Sequence, residues 1–152
     1  MAKQYWLMKS EPDVYSIDDL EKEGSTSWEG IRNYQARNNM QSMKVGDEVL
    51  FYHSNAKPPG IAGLASVSKQ AYPDHFAFDS GHKYHDPKSS KDNPRWFMVD
   101  IEFVAKAPNF VALSDVKGDA KLADMELVRQ GRLSVQPVKK AEFERVKKLA
   151  GL

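Results

Sequence analysis

Residues 58–72 read "PPGIAGLASVSKQAY". Pro-Pro-Gly opens the stretch as a turn, and the small and β-branched apolar residues after it read as a strand. Two glycines, Gly60 and Gly63, lie inside that strand. Glycine weakens a flat strand, so its presence suits a sharply bent barrel wall or a close backbone approach to a ligand. On one side, "KVGDEVLFYHSN" (44–55) is a turn followed by a strand from Glu48 to His53. On the other, "RWFMVDIEFVAKA" (95–107) alternates cleanly, Trp96, Met98, Asp100 and Glu102 against Phe97, Val99, Ile101 and Phe103. Gln4 to Lys9 and "RLSVQPV" (132–138) also read as strands.

Helical signals fall between the strands. Ser16 is a candidate N-cap, with Asp19 three residues on and a stop near Gly24. Asn33 to Met43 has helical spacing, with Ala36, Met40 and Met43 on one face. Leu113 to Gln130 suggests two short helices ending at Gly131. Ala141 to Leu149 forms a terminal helix with Phe143, Val146 and Leu149 inward. Asp74 to Arg95 is polar and mostly irregular. Five or so strands without regular βαβ alternation indicate an α+β domain with a curled, barrel-like sheet.

The 152 residues suit a single domain spanning 1–152. No apolar run approaches the roughly 20 residues of a membrane-spanning helix, and the N-terminus has no export signal. The chain has no cysteine, so no disulfide or thiolate metal site is expected, which suits a cytoplasmic location. Its 22 basic and 21 acidic residues leave a net charge of +1. Broad phosphate-driven binding to a duplex needs a larger basic excess, whereas a small ligand or a single nucleotide in a pocket does not.

Several enzyme signatures are absent: there is no P-loop, dinucleotide-binding loop or G-x-S-x-G elbow. Lys9 and Ser10 are strand neighbours that point to opposite faces, so they make a poor dyad. His75, His82, His85 and Asp86 fit no tight metal-ligand spacing, and no metal or cofactor is expected. Polar groups gather instead at strand ends: Ser10 and Glu11 before Pro12, Ser54 and Asn55 after His53, and Arg132 and Ser134, which alternation puts on one strand face with Gln136. In "WEGIRNYQARNNM" (28–40), Asn33 and Arg37 lie four apart beside the apolar stripe, while Asn38 points away. Trp28 offers a stacking plane. Edge hydrogen bonds plus an aromatic face are what recognition of a base requires. An enzyme acting on a nucleobase, with Glu11 or His53 as general base, and a sensor of a free nucleoside remain alternatives.

The ordered blocks "YWLMKSEP", "WEGIRNYQARNNM", "GDEVLFYHSN", "PGIAGLASV", "PRWFMVDIEF" and "GRLSVQPV" resemble the EVE domain family over essentially the whole chain. The resemblance implies a PUA-like fold, a small mixed β-barrel of five to six strands with short helices packed around it. It also implies a non-enzymatic module whose partner is nucleic acid carrying a modified base; a monomer is the expected state. 5-Methylcytosine or 5-hydroxymethylcytosine in DNA lead, with modified RNA also open. Carried over residue by residue, the family's motifs point to Lys9, Ser10, Glu11, Trp28, Arg32, Asn33, Arg37, Asn38, Ser54, Asn55, Gly60, Arg132 and Ser134.

Overall fold

The computed structural model describes residues 3–152. Six strands form one mixed sheet: β1 (Tyr5–Ser10), β2 (Ser25–Ser27), β3 (Glu48–His53), β4 (Gly60–Pro73), β5 (Phe97–Ala112) and β6 (Val135–Val138). Their order across the sheet is β2-β5-β4-β3-β1-β6. Only β1 and β3 run parallel; the other neighbours are antiparallel. The edge strands β2 and β6 are not paired with each other, so the expected barrel is open.

The runs "YWLM" in β1 and "VLFY" in β3 lack alternation because both faces of the sheet are covered. On one face Trp6, Met8, Val49 and Phe51 pack with α1 (Ile17–Glu23) and α2 (Tyr34–Gln41). On the other, Leu7, Leu50, Tyr52 and Leu64 meet α3 (Leu113–Lys117), α4 (Glu126–Arg129) and α5 (Lys140–Leu149).

β4 and β5 are long and repeatedly change register, at Ile61/Gly63, Leu64/Ala65, Val67/Lys69 and Lys69/Tyr72. Such bulges bend and twist a sheet. The strand glycines serve this close packing. A Cβ on Gly63 would lie 2.6 Å from Ala105 O and 2.7 Å from the Ile17 side chain. One on Gly60 would lie 2.7 Å from Ala112 Cα and would also strike the Val111 carbonyl. Of the two readings of these glycines, the packing and the bulges favour the bent wall.

Local signals set the helices. Ser16 is the expected N-cap and forms a capping box with Asp19, and Gly24 ends α1 at φ 86°. Asn33 caps α2 by accepting from Ala36 N at 2.9 Å. This helix stops at Gln41, so Met43 is buried from the turn that follows rather than from the helix. Between Leu113 and Gln130 there are two α-helices, as expected, with an added 3-10 turn at Ala120–Leu122. The C-terminal strand is shorter than its pattern suggested. Arg132 lies in a turn, because the Gln136 side chain donates to Gln130 O (2.9 Å) and Leu133 O (2.8 Å) and curls the chain before β6. Gln136 is consequently buried, and the shared face read for Arg132, Ser134 and Gln136 does not exist.

Candidate base-binding site

Lys9, Ser10 and Glu11 leave the sheet at the end of β1. Ser10 still pairs with His53, and Ser54 N donates to Ser10 O at 2.9 Å. Pro12 then ends the pairing, and Val14 N and Tyr15 N close a turn on Glu11 O at 2.9 and 2.8 Å. The Ser10 hydroxyl donates to Tyr15 O at 2.6 Å and fastens the turn to the strand. This turn forms one wall of a cavity of about 440 Å³, within the usual range for a small-ligand site.

The second wall is the chain after β2. Thr26, Ser27, Trp28, Glu29, Gly30 and Ile31 line it, and Trp28 N donates to Val99 O at 2.7 Å to keep it on the sheet. Ser27 donates to Glu29 at 2.8 Å, which fixes that carboxylate. Lys83 and Tyr84, from the irregular segment 74–95, supply the third wall.

That segment is tied down from within. Asp74 is fully buried and accepts from Gly30 N (2.9 Å), Phe76 N (3.0 Å) and Arg32 (3.1 Å). Arg32 also donates to Tyr84 O at 2.5 and 3.2 Å. Gly30 has φ +82°, and the Tyr84 ring lies directly against its Cα, in the space a Cβ would take. Two of the three histidines weighed as metal ligands stand in a stack: His75 on Phe76 (4.3 Å), Phe76 on His82 (4.5 Å) and His82 near Tyr84 (5.5 Å).

Of the thirteen residues carried over from the resemblance, four line the cavity: Lys9, Ser10, Glu11 and Trp28. Trp28 is only 7% exposed and meets Phe51 edge-on at 5.6 Å, so it is part core and part floor. Arg32 acts behind the wall as the clamp on Tyr84. Asn33, as the α2 cap, and Arg132 border a separate depression beside the cavity. Arg37 bonds Arg95 O (3.0 Å) and Asn38 Oδ1 (2.9 Å), which accounts for Asn38. Ser134 O receives the Lys9 backbone N–H at 2.9 Å, Ser54 pairs with Ser10, and Asn55 takes the turn conformation φ 51°. Gly60 is buried between β4 and β5, away from the lining.

Sequence reading missed Tyr84, Lys83, Glu29, Ser27, Thr26 and Tyr15. The available signal was "HKYHD" (82–86), an aromatic beside a lysine in a polar tract, which was weighed only as metal ligands.

The site mixes both signs of charge. Burial pushes the Lys9 ammonium down, while its Nζ donates to Gly131 O and lies 5.4 Å from the Tyr52 ring centroid. Burial and the 2.6 Å bond to Glu23 push the Tyr15 hydroxyl up to about 12, so it remains a donor. His53 is committed elsewhere. Its Nε2 accepts from Ile17 N at 3.1 Å, and burial pushes its pKa down. The cavity thus offers carboxylate acceptors in Glu11 and Glu29, hydroxyls that both donate and accept, cationic donors in Lys9 and Lys83, and aromatic faces.

Both the sequence and the fold match known proteins. Residues 4–149 match the EVE domain. Human thymocyte nuclear protein 1 is 43% identical over 159 residues, covering 92% of this chain and 71% of that protein. A hypothetical protein from Leishmania major superposes with a TM-score of 0.95 at 49% identity, covering 99% of this chain and 96% of the other. Human THYN1, crystallised in complex with 5-methylcytosine-containing DNA, superposes with a TM-score of 0.93 at 43% identity, covering 99% of both chains. The open six-stranded mixed sheet is the PUA-like fold these relatives share. The chain belongs to the EVE domain family.

Proposed function

We propose that this protein is a reader of modified cytosine in DNA, accepting one extruded base in the cavity at the end of β1. The observation that carries this is the cavity itself. It sets hydrogen-bonding edges (Ser10, Glu11, Ser27, Glu29) beside aromatic faces (Tyr84, Trp28), in a chain whose relative was crystallised with 5-methylcytosine DNA. A carboxylate accepts from the exocyclic amine of cytosine, and Val14 and Ile31 offer apolar contact for a 5-methyl group. Tyr84, held from behind by Arg32, is the preferred stacking face, with Trp28 as the floor.

The base leaves its stack at a cost of a few kcal/mol, which stacking on Tyr84 and the edge bonds must offset. Binding is non-enzymatic. The engagement of His53 by Ile17 N and of the Ser10 hydroxyl by Tyr15 O disfavours an acid–base pair. We take residues 1–152 as one domain acting as a monomer. A cytoplasmic location is part of the proposal; among the described residues no helix is long and apolar enough to cross a membrane.

The test is a binding panel of otherwise identical DNA and RNA oligonucleotides carrying cytosine, 5-methylcytosine or 5-hydroxymethylcytosine. Tighter binding to a modified DNA is expected. Equal affinity for modified and unmodified strands would refute base reading. A preference for modified RNA would change the ligand class, and turnover of the base would return the enzyme alternative.

A further inference from the structure

Beside the cavity a row of alternating rings and guanidinium groups continues onto the surface. Tyr84 forms the cavity wall, and the Arg32 guanidinium lies 5.5 Å from its ring centroid and 5.4 Å from that of Trp96. Trp96 is buried, its Nε1 donating to Asp86 at 2.5 Å. On it stacks Tyr34, with ring centroids 4.8 Å apart and planes 25° apart. Arg37 lies 4.8 Å from the Tyr34 centroid and is itself held by Arg95 O and Asn38. Tyr34 is nevertheless 50% exposed. An aromatic held from behind by a buried tryptophan and alongside by a fixed guanidinium, yet open to solvent, is a preformed surface with no intramolecular cover.

We propose that Tyr34 and Arg37 form a second nucleotide platform outside the pocket, against which a nucleotide neighbouring the extruded base rests. This rests on the base-reading function above and adds a contact to the flanking strand. Three features select this occupant. The row is continuous with the pocket wall through Arg32, which touches both Tyr84 and Trp96. The surroundings carry the right sign: "YQARNNMQ" of α2 contains no carboxylate, and the adjoining depression of about 390 Å³ brings Arg129 and Arg132 beside Asn33 and Gln35. The carboxylates close by, Asp86 and Glu126, are engaged by Trp96 and by Arg129 and Gln130. Finally, Tyr34 stands alone among Asn33, Gln35 and Asn38. One ring amid polar groups suits a base or sugar face with a phosphate on the arginine, and is too small for an apolar protein contact.

The platform touches the neighbour and not the modified base, so it should raise affinity without raising discrimination. The test measures binding of wild type, Tyr34→Ala and Tyr34→Phe to a 5-methylcytosine duplex and to its unmodified counterpart, with melting temperatures as a check on folding. Tyr34→Ala should weaken binding to both duplexes by the same factor, roughly 5- to 150-fold, the equivalent of one lost aromatic–base stack. Tyr34→Phe should keep most of the affinity, and the ratio between duplexes should stay at its wild-type value throughout. Unchanged affinity in a folded Tyr34→Ala protein overturns the platform. So does a loss confined to the modified duplex, which would place Tyr34's effect in the pocket through Trp96 and Arg32. A wild-type ratio of one sinks base reading instead, and is read independently of the Tyr34 variants.

Discussion

At Glu11 and Trp28 the same cavity poses different tests. Glu11 is exposed at the rim, so Glu11→Gln exchanges a carboxylate for an amide with little effect on the core. It should weaken binding of a modified-cytosine duplex by about 1–3 kcal/mol, read by titration, with the melting temperature nearly constant. Ser10→Ala is less clean, because that hydroxyl also fastens the 11–15 turn, and a loss of about 1 kcal/mol in stability should accompany any loss in binding. Trp28→Ala removes a ring that packs on Phe51, and denaturant unfolding should show a loss of about 3–5 kcal/mol. His53 governs pH. Its folded pKa lies below the unfolded value, lowered by burial, with Asp18 opposing and Lys106 reinforcing the shift. The unfolded chain therefore binds the proton more readily, and stability present above about pH 6.5 is lost as pH falls through the folded value. Melting curves between pH 7.5 and 5.5 should show this decline, and His53→Gln should flatten it in that window.

Among the elements, segment 74–95 has the least regular structure and completes the site. Buried Asp74 holds it to Gly30 and Arg32, so Asp74→Ala leaves a guanidinium and two N–H groups without their acceptor. A destabilisation of about 3 kcal/mol is expected by denaturant unfolding, together with weakened DNA binding as Tyr84 is freed. Gly30→Ala tests the same wall from the other side: it places a Cβ at positive φ, where the Tyr84 ring now lies. The backbone cost is about 1–2 kcal/mol, and the displaced ring should lower affinity even where the fold survives. Partial recovery of the melting temperature, without recovery of affinity, in Gly30→Ala with Tyr84→Gly would confirm the clash as the cause. Regular elements were legible from local pattern. The N-cap at Ser16, the exact span of β3 and the inward face of α5 all follow from signals within a few residues. This segment has no such period, because its order comes from bonds to residues more than forty positions away.

Over the whole molecule, near-neutral charge limits how many phosphates the protein can neutralise. The slope of log affinity against log salt should be about −2 to −4, corresponding to roughly two to four phosphates, and a slope near −8 would point to a broad basic face. Lys9, Lys83 and the arginines at 37, 129 and 132 are the candidates for those contacts. What the sequence by itself determined was the α+β class, the run of strands and helices, and the ending of β1 in Lys9, Ser10 and Glu11 at Pro12. Those features depend on side-chain periodicity, caps and breakers, which act over one or two turns of chain. Only the tertiary structure decided which polar groups share a cavity. It joined the end of β1, the chain after β2 and Tyr84, and left Asn33, Arg37, Gly60 and Arg132 outside. The physical reason is that a pocket wall is set by which strands pair and where a loop is clamped. Here a buried carboxylate and one arginine, bonded across the fold, make that choice.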